Sequence, residues 1–195
     1  MHHSLPRIYS RNREKFLQAF MFFAAWTRLP LAGKLVRNVA NSYGKSASGA
    51  YLLTLKEAQE IVDGSQGLAL GPCSCRKVFK NCDGPINAEI MLSMGSNVFI
   101  EQRPAEYQQI NKEQASALLE DCHQRGLIHT IVKCRDDFYA ICNCCSCCCV
   151  PLRLSKRYGI GNALVRDANI VEMVRDSAET PHTHSQKTVA QASRL

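Results

Sequence analysis

Six cysteines stand within eight residues, Cys142 to Cys149, in a chain of 195 residues that has eleven cysteines in all. Adjacent thiols such as Cys144-Cys145 and Cys147-Cys148-Cys149 cannot all meet the distance and dihedral demands of disulfides, and an odd total leaves one unpaired. The segment therefore points to a reducing compartment, the cytoplasm, where thiols persist and clustered ones ordinarily bind metal. Whatever the chain folds into must carry this run on a loop or turn and set other residues around it.

The rest of the composition is ordinary. With 46% hydrophobic and 21% charged residues, the chain is neither collagen-like nor wholly disordered nor a membrane bundle, and its length allows one compact domain with a sizeable core. Charge is uneven: residues 1–50 hold Arg7, Arg11, Arg13, Lys15, Arg28, Lys34, Arg37 and Lys45 against the single acid Glu14, and so carry the net excess of +7. Such an arm suits nucleic acid, an anionic lipid surface or an acidic protein partner.

The apolar run Phe16 to Trp26 is too short to span a membrane and lacks a small-residue cleavage site. It reads as a helix that either packs into the core or docks on a membrane or partner through Phe16, Phe20, Phe23 and Trp26. Pro30 ends or kinks it, and Asn41 to Gly49 reads as a loop. Leu55 to Val62 is helical and stops at Asp63-Gly64, and Gly67 to Leu70 is a short strand that delivers the chain to Cys73. Asn111, with Gln114 three residues on, forms a capping box for a helix over Lys112 to Arg125, closed by Gly126. Leu127 to Lys133 and Phe138 to Cys142 then form a hairpin with the cysteine run at its exit. Leu152 to Tyr158 and Ile170 to Val174 are short helices, and Ser177 to Leu195 reads as disordered.

The expected fold is α+β, a small mixed domain with N-terminal helices, a central helix followed by a β-hairpin, and cysteine-rich loops holding a metal. Its organisation would be a basic helical arm (1–50), a cysteine-rich domain (51–155), a short helical extension (156–176) and a tail (177–195).

A first group of thiols, Cys73, Cys75 and Cys82, precedes the second, Cys142, Cys144, Cys145, Cys147, Cys148 and Cys149, by about sixty residues. Iron–sulfur clusters take four thiolates, and CxxC spacing lets one turn supply two of them. Nine thiols suffice for one or two 4Fe-4S clusters. Zinc is the alternative, although a zinc site needs only four well-spaced ligands and gains nothing from six cysteines in eight residues. Cys122, inside the predicted helix, reads as a core residue, while Cys134 is a further candidate ligand and His129 a neighbour or substitute ligand.

The succession Cys73-x-Cys75-Arg76, Cys82-Asp83-Gly84-Pro85, Gly126-Leu127-Ile128-His129 and Ile141-Cys142-Asn143-Cys144-Cys145-Ser146-Cys147-Cys148-Cys149 with Leu152-Arg153 resembles a family of ferredoxin-type 4Fe-4S proteins of anaerobic bacteria and archaea. The resemblance spans about Ala69 to Arg153. It lacks a further cysteine near Ala88-Glu89-Ile90-Met91 and the two-cluster ferredoxin module that many members carry after this region. It implies a cluster-binding electron carrier or accessory subunit. In that reading Arg76 and Arg153 offset the anionic cluster and the basic arm docks a redox partner or a membrane enzyme.

Two other readings follow from the residues. A redox- or metal-sensing regulator would bind nucleic acid through the predicted helix and hairpin, arranged as a winged helix, yet Glu113, Glu120 and Asp121 make that helix a poor match for phosphates. A structural zinc protein is the other. No phosphate-binding glycine loop or Ser/His/Asp arrangement marks an enzyme, although the missing cysteine near Glu89 would leave an open iron position if one existed.

Overall fold

The computed structural model describes residues 4–30, 32–46, 48–134 and 137–179. In chain order the helices are α1 (Ser4–Ala25), α2 (Gly33–Ser46), α3 (Leu55–Gly64), α4 (Ser74–Phe79), α5 (Ser93–Gln102), α6 (Lys112–Gln124), α7 (Val150–Tyr158) and α8 (Ile170–Glu179). The strands are β1 (Ser48–Leu52), β2 (Leu68–Pro72), β3 (Asn87–Leu92), β4 (Gln108–Gln109), β5 (Ile128–Cys134), β6 (Asp137–Cys144) and β7 (Leu164–Val165), forming one sheet in the order β4-β2-β3-β6-β5-β1-β7. All pairings are antiparallel except β1 with β7. The protein is an α+β fold, with helices on both faces of a mixed sheet.

The pleat sorts the side chains. Residues directly opposite one another share a face, and each strand alternates between faces. Ile90, Ile141 and Ile131 lie in register across β3, β6 and β5 and pack with Ala58, Ile61 and Val62 of α3, Ala115 and Leu119 of α6, and Ile170 of α8. This is the larger core. On the other face Met91 and Ala140 pack with Phe99 of α5 and with Tyr107. One step along that second face, Glu89 lies opposite Cys142, which lies opposite Thr130. Here apolar packing gives way to polar and thiol groups.

Helix α1 runs over the second face. Its Leu17 and Met21 pack against Val150 of α7 and against Phe79 and Cys75. Nearby, Arg13 spans the two oxygens of Glu89, one contact being 2.6 Å, and donates to the Tyr107 hydroxyl at 3.4 Å. Both charged side chains are nearly inaccessible, at 7% and 1%. Removing either partner of such a pair strands a buried charge, so this contact fixes where α1 sits.

Three readings need correction. The segment from Asn41, read as a loop, continues α2 to Ser46 and then enters β1. Its polar residues are held by a distant segment: Asn162 donates its backbone N–H to the Asn41 side chain at 2.9 Å and its own amide to the Asn41 carbonyl at 3.1 Å. Gly44 lets that segment close in, since a Cβ there would lie 2.8 Å from the Asn162 carbonyl oxygen. Helix α8 extends through Ser177 to Glu179, past the start expected for the tail, while 180–195 lie outside the described residues. The hairpin β5–β6 is no wing, because each strand pairs on both sides at the centre of the sheet.

The capping box at Asn111 and Gln114 forms as expected, with both reciprocal bonds present. Gly126 takes the left-handed conformation at φ 71°.

Candidate metal centre

Strand β6 ends at Cys144, and the chain turns at once, the Cys149 N–H donating to the Cys145 carbonyl at 3.2 Å. Cys149 then caps the start of α7, which Pro151 suits because its missing N–H falls where no helical bond is made. The eight-residue run is thereby split. Cys142 and Cys144 are strand residues two apart, so they share a face; Cys145, Cys147 and Cys148 belong to the turn; Cys149 re-enters the interior.

The turn faces the loop after α4. Cys82 lies with its Sγ 3.6 Å from that of Cys145 and 3.8 Å from that of Cys148, and the Cys147 and Cys148 sulfurs are 3.9 Å apart. All four sulfurs lie within 4.8 Å of one another and form a group that can hold a metal ion. Four thiolates about 2.3 Å from a tetrahedral ion stand about 3.8 Å apart, so these spacings suit a single ion as they stand. A cubane would hold the thiolates farther apart.

Asn81 holds two members of the tetrad in place. The Asn81 N–H donates to the Cys148 sulfur at 3.3 Å, and its side-chain amide donates to the Cys147 carbonyl at 2.9 Å. Burial works against ionisation of Cys145, but hydrogen bonds from Cys147, the Cys148 backbone, Cys82 and Arg76 outweigh it and bring the thiol down to about 6. Desolvation and the neighbouring thiols push Cys147 up to about 12. At neutral pH the metal-free tetrad therefore already carries a thiolate, the form that ligates metal.

A second set of thiols lies behind the tetrad. Cys144 and Cys149 have their sulfurs 3.3 Å apart, Cys75 lies beside Cys149 and Cys142 beside Cys144, and Cys142 donates to Glu89 at 3.1 Å. Cys73, at the end of β2, caps α4 and lies beside Cys142 and Glu89. These five form a string along the second face of the sheet. The hydrogen bond to Cys144, full burial and the Glu89 charge together hold Cys142 well above the ordinary thiol value. Burial carries Cys73 up to about 11 in spite of Arg76.

Arg76 joins the two sets. It is fully buried, and its guanidinium donates to the carbonyls of Pro85 and Asn143, tying the Cys82 loop to the end of β6. Desolvation opposes its charge, yet Cys73, Cys145 and Cys144 around it hold that charge in place. Arg153 lies over the Phe79 ring at 4.7 Å, with buried Nε and Nη1 atoms that lack a hydrogen-bond partner among the described residues.

The remaining expected site residues lie elsewhere. His129 projects from the opposite face, where it stacks on His123 at 5.5 Å and bonds the Asn143 side chain at 2.7 Å. It reaches the thiols only through Asn143, and burial lowers its pKa. Cys134 is exposed at the far end of β5, six residues along the strand from Ile128, which pairs with Cys144. At about 3.3 Å per residue that is roughly 20 Å from the tetrad. Cys122 is buried in α6 beneath the other face, as a core residue. Sequence reading missed the Arg13–Glu89 pair, whose partners are 76 positions apart, and the role of Asn81; only the Asn81-Cys82 adjacency offered a hint.

Comparison of the chain with protein-family models, curated proteins and solved structures gave no match.

Proposed function

We propose that this protein holds iron–sulfur clusters on its nine clustered cysteines and exchanges single electrons with a protein partner, as its resemblance to ferredoxin-type 4Fe-4S proteins implies. The observation that carries the reading is the convergence of Cys73, Cys75 and Cys82 with Cys142 to Cys149 into two adjoining thiol sets. One mononuclear ion would occupy only four of them. Cys82, Cys145, Cys147 and Cys148 are the ligands of the outer site, and Cys75, Cys142, Cys144 and Cys149, with Cys73 beside them, are the candidates for the inner one.

An iron–sulfur cluster bound there would supply a one-electron couple. The chain's own residues set its surroundings. Arg76 offers a fixed positive charge between the sets, the Asn81 N–H donates to the Cys148 sulfur, and the buried strand residues keep water from the inner set. The positive charge and the N–H donor favour the more negative, reduced state, and burial of the inner set opposes it. Beside Cys82 an open cleft lined by Lys80, Asp83, Ile86 and Glu106, the last paired with Lys77 at 2.6 Å, offers a partner a route to the outer site.

A structural zinc site is the second reading, favoured by the 3.6–3.9 Å sulfur spacings of the tetrad. The test is an EPR spectrum of anaerobically prepared protein before and after reduction. The iron–sulfur reading predicts a signal that appears on reduction and vanishes in Cys145→Ser combined with Cys149→Ser. A protein that is EPR-silent in both states and carries stoichiometric zinc would overturn it.

A further inference from the structure

Beyond the metal centre, and independent of it, lies the hairpin made by α1 and α2. Core side chains Leu17, Met21 and Ala24 face inward, yet the opposite side of α1 and the turn that follows it are aromatic and open, with Phe22 61%, Phe23 53% and Trp26 45% exposed. These three rings touch one another at 5.4–5.9 Å between centroids. At the turn Leu29 is 51% exposed, and on α2 Leu35 and Val39, one helical turn apart, are 67% and 62% exposed. Tyr43, the next on that stripe, meets Phe20 of α1 at 6.3 Å, so the apolar stripe of α2 adjoins the aromatic side of α1. A patch of this kind on a soluble domain marks an interaction site.

The charge around it is of one sign. From Lys15 to Lys56 the sequence has no acidic residue, while Lys15, Arg28, Lys34, Arg37, Lys45 and Lys56 are basic. At the hairpin's turn Arg28, Arg37 and Arg157 line a shallow cleft with Leu29 and Pro30 and with no acid among its walls. Arg28 lies over the Tyr158 ring at 5.0 Å, and Arg37 donates to the Thr27 carbonyl at 2.6 Å, which hold two of the three cations at the mouth. A cationic cleft beside an aromatic tip matches a phosphate headgroup above acyl chains. An acidic protein would satisfy the charges and leave the aromatic tip without a matching layer.

We infer that the α1–α2 hairpin docks this protein on the surface of an anionic lipid bilayer, with Phe22, Phe23, Trp26 and Leu29 entering the interface and Arg28, Arg37 and Arg157 receiving lipid phosphate. The helices lie on the bilayer and do not cross it. No helix among the described residues is long and apolar enough to cross a membrane, and interfacial helices of this type bury their apolar face only about 5–10 Å deep. Docking sets the thiol domain, to which α1 is latched by Arg13 and Glu89, at the membrane surface.

Trp26 is the sole tryptophan and reports directly on this contact. The full-length protein is mixed with vesicles of phosphatidylcholine alone or with about a quarter phosphatidylglycerol, and followed by flotation and tryptophan emission. The expected result is co-flotation and a blue shift with the anionic vesicles only, reversed by salt, and weakened about fivefold for each cation removed in Arg28→Gln, Lys34→Gln or Arg157→Gln. Phe22→Ser with Leu29→Ser, both exposed and so neutral to folding, weakens binding while leaving the salt dependence intact. Protein that stays off both kinds of vesicle with unchanged emission would overturn the inference. Equal binding to both lipids would also overturn it, as would a lipid-free, concentration-dependent blue shift, which assigns the face to a second copy of the chain.

Discussion

The two thiol sets are built from the same two stretches of chain, yet they differ in almost every physical respect. Cys82, Cys145, Cys147 and Cys148 come from turns, close to within 4.8 Å of one another, and include a thiol brought down to about 6. Cys142, Cys144 and Cys149 sit on or beside a central strand, where burial and the crowding of thiols hold each well above the ordinary value, although contact with Cys142 lowers Cys144 and contact with Cys144 lowers Cys149. The difference comes from one local event, the end of β6 at Cys144. Before it the pleat directs alternate residues onto a packed face; after it the turn swings three cysteines out to meet Cys82. Adjacent cysteines in sequence thus belong to chemically distinct sites. The outer set is poised to ligate, and the inner set needs a bound group to offset its desolvation.

The contrast breaks most sharply if the outer set can be emptied alone. Cys145→Ser or Cys148→Ser should abolish metal at the outer site while Cys122→Ser leaves total metal unchanged, as metal analysis of the purified variants would show. Equal metal in all three would dissolve the distinction between ligand and core cysteine.

The inner set depends on the buried ion pair beside Cys142. Arg13→Met should cost about 3–5 kcal/mol in urea unfolding because Glu89 is left unpaired, and Arg13→Met with Glu89→Met should recover most of that. Arg76→Met removes the donor shared by the Pro85 and Asn143 carbonyls and should cost about 3 kcal/mol. It should also loosen the outer site, since those carbonyls anchor both of its loops.

A smaller effect sharpens the contrast within the turn itself. In metal-free, reduced protein, iodoacetamide at pH 7 should modify Cys145 well ahead of Cys147, because the thiolate is the nucleophile and the two titrate at about 6 and about 12. The Cys145 rate should rise with pH and level off above about 6, whereas an ordinary thiol continues to rise to about 8.5. Mass mapping of the labelled peptides reads this out. Smallest of all, Cys134→Ser on the exposed strand end should shift stability by less than about 0.5 kcal/mol and leave metal content untouched.

What the sequence made legible was local. The Asn111 and Gln114 capping box and the hairpin leading to the cysteines each rest on a few neighbouring residues, and each stands in the fold. Strand β3 was missed because five of its six residues are buried without alternation, so no period of two marks it. The end of helix α2 reads as a loop because Ser and Gly follow Asn41, and the bonds from Asn162 that stabilise it come from 121 positions away. At the site, spacing alone permitted many groupings of Cys142 to Cys149. The grouping found depends on where β6 ends and on what Arg76 and Asn81 hold, neither of which spacing encodes.

The most direct measurement is the content of iron, zinc and acid-labile sulfide per chain in anaerobically purified protein. The account predicts iron and sulfide in equal amounts, about four per occupied cluster, with little zinc. One zinc per chain without sulfide would contradict it and leave the tetrad as a structural metal site.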